Sequence, residues 1–101
     1  MATEHAHQPS ADSVEALVQC RADIDRVDAV LVALLRERAR LAVRAGCIKV
    51  ASGEPVVAPV REAAILERVR RLAGEPLDGE AMARIFRHII DETRAAEQRR
   101  V

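Results

Sequence analysis

The sequence predicts an all-helical chain, and three observations carry that. Half of the 101 residues are apolar but a single one, Phe86, is aromatic, so Ala, Leu, Val and Ile must fill the interior. Apolar residues recur at the 3.6-residue spacing of a helix over long stretches. Two stop signals, "SGEP" (52–55) and "GEP" (74–76), divide the chain into three such stretches.

Residues 1–11 are polar and unpatterned and are expected to form a disordered tail, leaving 12–101 as one helical domain. The two histidines of "HAH" within the tail do not suggest a metal site. Asp12 stands three residues before Glu15, a start resembling a capping box. From there Leu17, Ile24, Val27, Leu31, Leu34, Leu35, Leu41, Ala42, Ala45 and Ile48 keep to one helical stripe. The first helix therefore runs for about 38 residues until the first stop signal. Pro59 suits the first turn of a second helix of about 15 residues, whose stripe is Ile65, Leu66, Val69, Leu72 and Ala73. Asp78 can cap a third, burying Met82, Ile85, Phe86, Ile89 and Ile90 and reaching about Gln98.

Length dictates the next step. A helix of about 38 residues is about 57 Å long, whereas a compact domain of this size is roughly 35 Å across. Two short helices cannot cover its apolar stripe. A second copy of the chain is the simplest cover, which predicts an intertwined homodimer with the long helices packed together. A break near Gly46, giving a monomeric bundle, is the alternative.

Cations interrupt the stripes. Arg38 lies seven residues after Leu31 and three before Leu41, and Lys49 follows about three turns later on the same side. Arg21 borders the stripe about 25 Å from Arg38 along the helix, too far to share a small ligand unless it comes from the other copy. Arg61 and Glu62 fall in the first turn of the second helix. The third continues its apolar line into Thr93 and Glu97. Charges directed inward need partners, and several cations around one space suit a small molecule with two or more negative charges.

The stretches "CRADIDRVDAVLVALLRERARLAVRAGCIKVASGEPVVAPVREAAILERV" and "IFRHIIDETRAAE" resemble the all-helical AroQ class of chorismate mutases. The carriers are "R..ID..D..L..LL.ER..LA...G..K", then "P.RE...LERV", then "IF..II..T...E", over residues 17–98. The resemblance implies a domain-swapped dimer that rearranges chorismate to prephenate on the way to Phe and Tyr. It assigns Arg21 of the second copy and Arg38 to the substrate carboxylates, and Lys49 to a carboxylate and the ether oxygen. Arg61 would support the carboxylate site, Glu62 accept the ring hydroxyl, Thr93 hydrogen-bond near a carboxylate, and Glu97 face the ether oxygen. Lys49, Glu97 and Arg38 are the expected catalytic groups. Ala58 stands where some members have an acidic residue, so only its backbone can help hold the ring hydroxyl. Some members have Gln at position 97; a Glu there can donate to the ether oxygen only when protonated.

A pericyclic rearrangement needs no cofactor, metal or nucleophile, and none is expected. Acidic and basic residues balance at 16 each, which argues against nucleic acid or an acidic membrane as partner. No apolar run spans a bilayer and the start lacks a secretory pattern, so a cytoplasmic location is expected. Cys20 and Cys47 are about 40 Å apart along the first helix and cannot pair within a chain. A relative acting on isochorismate or 4-amino-4-deoxychorismate could use the same cations. A non-catalytic helical dimerisation module would explain the long helix but not the inward charges.

Overall fold

A computed structural model describes residues 10–55 and 58–100, with Arg100 described by its backbone alone. These residues form three α-helices, α1 (Ala11–Ser52), α2 (Pro59–Leu72) and α3 (Gly79–Arg100), and no strand among them. All three predicted helices are present, in the predicted order. Of the expected tail, residues 1–9 lie outside the described residues.

The start of α1 differs from expectation. Its cap is Ser10, whose hydroxyl accepts from the amide of Ser13 (3.0 Å) while its carbonyl accepts from Val14 (3.0 Å). Asp12 instead sits in the first turn, where its charge meets the positive end of the helix. At 42 residues, α1 is about one turn longer than expected. It continues through Gly46, its buried residue among those described, so the alternative of a break there is not what forms. Its end is a Schellman motif: Gly53 donates to Val50 (3.3 Å) and Glu54 to Lys49 (2.8 Å). Gly53 has φ of 76°, a conformation that a residue with a Cβ adopts reluctantly.

The chain divides into two compact units at Leu34/Leu35. The described part of the first is α1 from its start to Leu34, where Leu17, Ile24, Val27 and Leu31 are all exposed. The second contains the rest of α1 together with α2 and α3. Its core is Ile65 and Val69 of α2 against Ile90 of α3, flanked by Leu66, Met82 and Phe86. Of the expected core residues of α2 and α3, Ala73 and Ile89 are half-buried beside it and two are exposed. Leu72, 76% exposed, is the last residue of α2, and Ile85 lies off the line of Met82, Phe86, Ile90, Thr93 and Glu97. Ala83 is buried on the near side of that line instead.

Short-range chemistry fixes the α2–α3 corner. Leu77 donates to Gly74 (2.9 Å) across the turn, and the Asp78 carboxylate accepts from the Ala81 amide (2.8 Å), the predicted cap. At Gly79 a Cβ would come within 3.2 Å of the Arg70 carbonyl oxygen, so the absence of a side chain lets α3 begin against α2. Arg70 of α2 also donates to Glu80 of α3 (3.1 Å). No described helix is long and apolar enough to cross a membrane.

Candidate active site

The second unit encloses a cavity of about 380 Å³, a usual volume for a small-molecule site. Helical spacing builds its walls. From α1 come Arg38, Ala42, Ala45 and Lys49; from the start and first turns of α2 come Ala58, Arg61, Glu62, Ile65 and Arg68; from α3 come Ile90, Thr93, Arg94 and Glu97. Seven of the eight expected site residues are therefore gathered round one space. Arg21 is exposed on α1 before Leu34 and is not among the residues lining the cavity.

Arg38 donates to the Thr93 hydroxyl at 2.8 Å. That hydroxyl directs its own proton to the Ile89 carbonyl (2.8 Å), with Ile90 further off at 3.2 Å. A hydroxyl has one proton, so here Thr93 positions Arg38 rather than offering a donor to the cavity. Burial first, then the neighbouring charges of Arg61 and Arg68, hold the Arg38 pKa below its ordinary value. A guanidinium does not deprotonate in this setting, so the meaning is electrostatic: cations crowd one another and an anion would relieve them.

Thr93 and Glu97 are 7% and 6% exposed. Lys49 Nζ stands 3.6 Å from Glu97 Oε2, an ion pair longer than a hydrogen bond. Among the described residues that oxygen has no hydrogen-bond partner. Buried polar atoms are nearly always satisfied, so an orphan oxygen on a residue that lines the cavity is an exception that asks for a functional reason.

Glu62 is the opposite case. Arg94 embraces its carboxylate, Nη2 lying 2.7 Å from Oε1 and 2.8 Å from Oε2 with Nε 3.1 Å from Oε2, and Arg87 adds a bond to Oε1 at 3.0 Å. Burial alone would raise the Glu62 pKa, but the hydrogen bonds and charges of Arg87 and Arg94 outweigh it, and the net shift is downward. The Ala58 carbonyl accepts from the Glu62 amide (3.0 Å), which occupies part of the backbone expected to serve that end of the site.

Arg68, Arg87 and Arg94 escaped the sequence reading. Arg68 had a signal, seven residues after Arg61 on the same face of its helix. Arg87 and Arg94 are likewise seven apart, but their meaning comes only from Glu62, which is 25 and 32 residues away. Arg38, Lys49, Arg61, Arg68 and Arg94 outnumber Glu62 and Glu97 along the walls, so the cavity favours an anion with more than one charge.

Residues 20–98 match the family described as Chorismate mutase type II. The chain belongs to the chorismate mutase type II family. The bifunctional chorismate mutase/prephenate dehydratase of Aquifex aeolicus is 39% identical over 90 residues, which are 85% of this chain and 25% of that protein. This chain thus spans about a quarter of the length of such bifunctional relatives. The chorismate mutase of Methanocaldococcus jannaschii is 33% identical over 86 residues, 84% of this chain and 87% of that one. Among solved structures, the Thermus thermophilus chorismate mutase superposes with a TM-score of 0.80 at 27% identity, covering 83% of this chain and 96% of that chain. The Helicobacter pylori chorismate mutase, solved in complex with prephenate, gives 0.76 at 28% identity over 84% and 92%. The three-helix architecture is thus that of the all-helical chorismate mutases.

Proposed function

We propose that this chain catalyses the rearrangement of chorismate to prephenate, an isomerase step of aromatic amino-acid biosynthesis, with no cofactor. The observation that carries the reading is the cation-rich cavity of about 380 Å³ in a chain of this family. Chorismate is a flexible dianion. Its rearrangement needs a compact conformer held in place and stabilisation of the charge that builds on the ether oxygen as the C–O bond breaks.

Arg38, held by Thr93, and Arg61 bind carboxylate. Lys49 bridges a carboxylate and the ether oxygen. Glu97, beside the Lys49 ammonium, faces the same oxygen, to which a carboxyl donates only when it holds a proton. Glu62 and the backbone of Ala58 face the ring hydroxyl. The functional unit is a homodimer in which Arg21 of the second copy completes each site. Support for the second copy comes from the exposed apolar side chains of α1. The enzyme acts in the cytoplasm, where its two free cysteines stay reduced.

The test is loss of chorismate absorbance with the product identified. Stoichiometric prephenate supports the reading. Release of pyruvate, or no consumption at all, overturns it.

A further inference from the structure

Glu62 and the arginines around it are arranged in a way that the proposed reaction by itself does not require. A carboxylate offers about four lone-pair directions. Here Oε1 accepts from Arg94 and Arg87, and Oε2 accepts twice from Arg94. Arg94 Nη2 faces both oxygens with one N–H shared between them, so three N–H groups crowd the carboxylate, and Oε1 is the oxygen that both arginines reach. Yet Glu62 lines the cavity and is expected to accept from a ligand hydroxyl. A ligand hydroxyl would compete with these arginines for Oε1.

The two are not equivalent. Arg94 lines the cavity, spans both oxygens as a fork, and is the less exposed, at 31% against 40%. Arg87 holds one oxygen at 3.0 Å and also donates to Asp91 at 3.2 Å, so it keeps a partner if it lets go. Arg94 is 3.6 Å from Asp91, beyond hydrogen-bond reach.

We infer that Arg94 is the positioning residue that fixes the Glu62 carboxylate at the cavity wall, while Arg87 is a releasable latch that yields Oε1 to a ligand hydroxyl and falls back on Asp91. The identity of that hydroxyl rests on the function proposed above; the roles of the two arginines rest on geometry alone. Arg94 sits on α3 and Glu62 on α2, so a purely structural strut between helices is the competing role, and the test must separate the two.

The groups that bear on Glu62 are Arg87, Asp91, Arg94 and Glu97 from α3, Arg61 and Arg68 from its own helix, and Arg38 and Lys49 from α1. The experiment is a carbon-detected NMR titration of Glu62 in the full chain without substrate, paired with steady-state kinetics on chorismate. Arg94→Ala moves the Glu62 midpoint to higher pH, because burial remains and the fork is gone, and shifts the acidic limb of kcat/KM with it. It lowers kcat/KM on the order of ten- to a hundredfold, the usual cost of hydrogen bonds to a charged group. Arg94→Lys restores the charge but not the fork and recovers part of both. Arg87→Ala moves the midpoint less and lowers KM, because Oε1 is already open.

A strut would lower thermal stability and, because the same ion pair is lost, move the Glu62 midpoint too, but it would leave kcat/KM at pH 7 as in the wild type, and that result overturns the assignment. An unmoved midpoint in Arg94→Ala, or a rise in KM in Arg87→Ala as large as that in Arg94→Ala, overturns the assignment. If Arg94→Ala loses its helicity, Arg94→Gln, which can still donate, carries the same titration. If the wild type leaves chorismate untouched, the function falls while the titration still decides which arginine holds Glu62.

Discussion

Between its start and Leu34, α1 carries Leu17, Ile24, Val27 and Leu31, each about half exposed. From Leu35 onward, Ile65, Val69 and Ile90 are 4–6% exposed, and Thr93 and Glu97 are buried almost as deeply. The first region leaves its apolar side chains uncovered; the second also exposes some, such as Leu41 and Ile48, but it alone buries polar ones. The hydrophobic effect disfavours the first arrangement and desolvation the second. Each is stable only with a partner. Under the proposed function the first needs another copy of the chain, and the second needs its internal ion pairs and its ligand.

Substitutions can break this contrast at several depths. The largest effect is expected at Lys49. Lys49→Ala lowers kcat by on the order of 10²–10³ while circular dichroism and sedimentation stay as in the wild type, because the lost donor acts on developing charge. Near-wild-type turnover of chorismate would remove Lys49 from the mechanism. Next comes a mixing test of the two regions. Arg21→Ala and Lys49→Ala chains, each nearly inactive, recover activity when refolded together, since random pairing restores roughly a quarter of the sites. Absence of recovery, with mixed dimers present by mass spectrometry, would place each site within a single chain.

A third comparison is energetic. Ile65→Ala destabilises by about 2–5 kcal/mol, as truncations in a packed core do. Its cost in urea melts is the same at every protein concentration. If the proposed homodimer covers Leu31, Leu31→Ala, in contrast, lowers the unfolding midpoint more as the protein is diluted. Equal concentration dependence of the two variants would contradict the contrast between the regions.

The smallest effect is electrostatic. The folded state holds the Glu62 pKa below its ordinary value of 4.5. A depressed carboxylate pKa contributes stability that is full above the unfolded value and is lost as pH falls through the lower folded one. Stability should therefore decline below about pH 4.5, and Glu62→Gln should flatten that decline in urea melts between pH 7 and pH 3. An identical decline in both proteins would mean that other carboxylates carry the acid sensitivity.

Much of the site was readable because helix periodicity converts spacing into direction. Arg38 and Lys49 fall on an apolar stripe, and so do Thr93 and Glu97; each pair does line the cavity. Misreadings occurred where one residue of offset changes the answer. Ser10 caps α1 rather than Asp12, since which oxygen reaches the free amides depends on the turn that precedes the helix. Leu72 and Ile85 fit an apolar pattern but sit at a helix end and off the contact line. Thr93, expected to hydrogen-bond near a carboxylate, does line the cavity, with its proton directed to Ile89 and a lone pair to Arg38.

What the sequence determined alone is the set of local decisions. Apolar period, Gly53, Pro59 and Asp78 specify three helices, where they stop, and which face carries charge, because these depend on neighbours a few residues away. The tertiary structure decided which charges meet. Glu62 is bound by Arg87 and Arg94, and Glu97 by Lys49, across separations of 25 to 48 residues. Such pairings follow from the packing of helices against one another, and no short-range pattern encodes them.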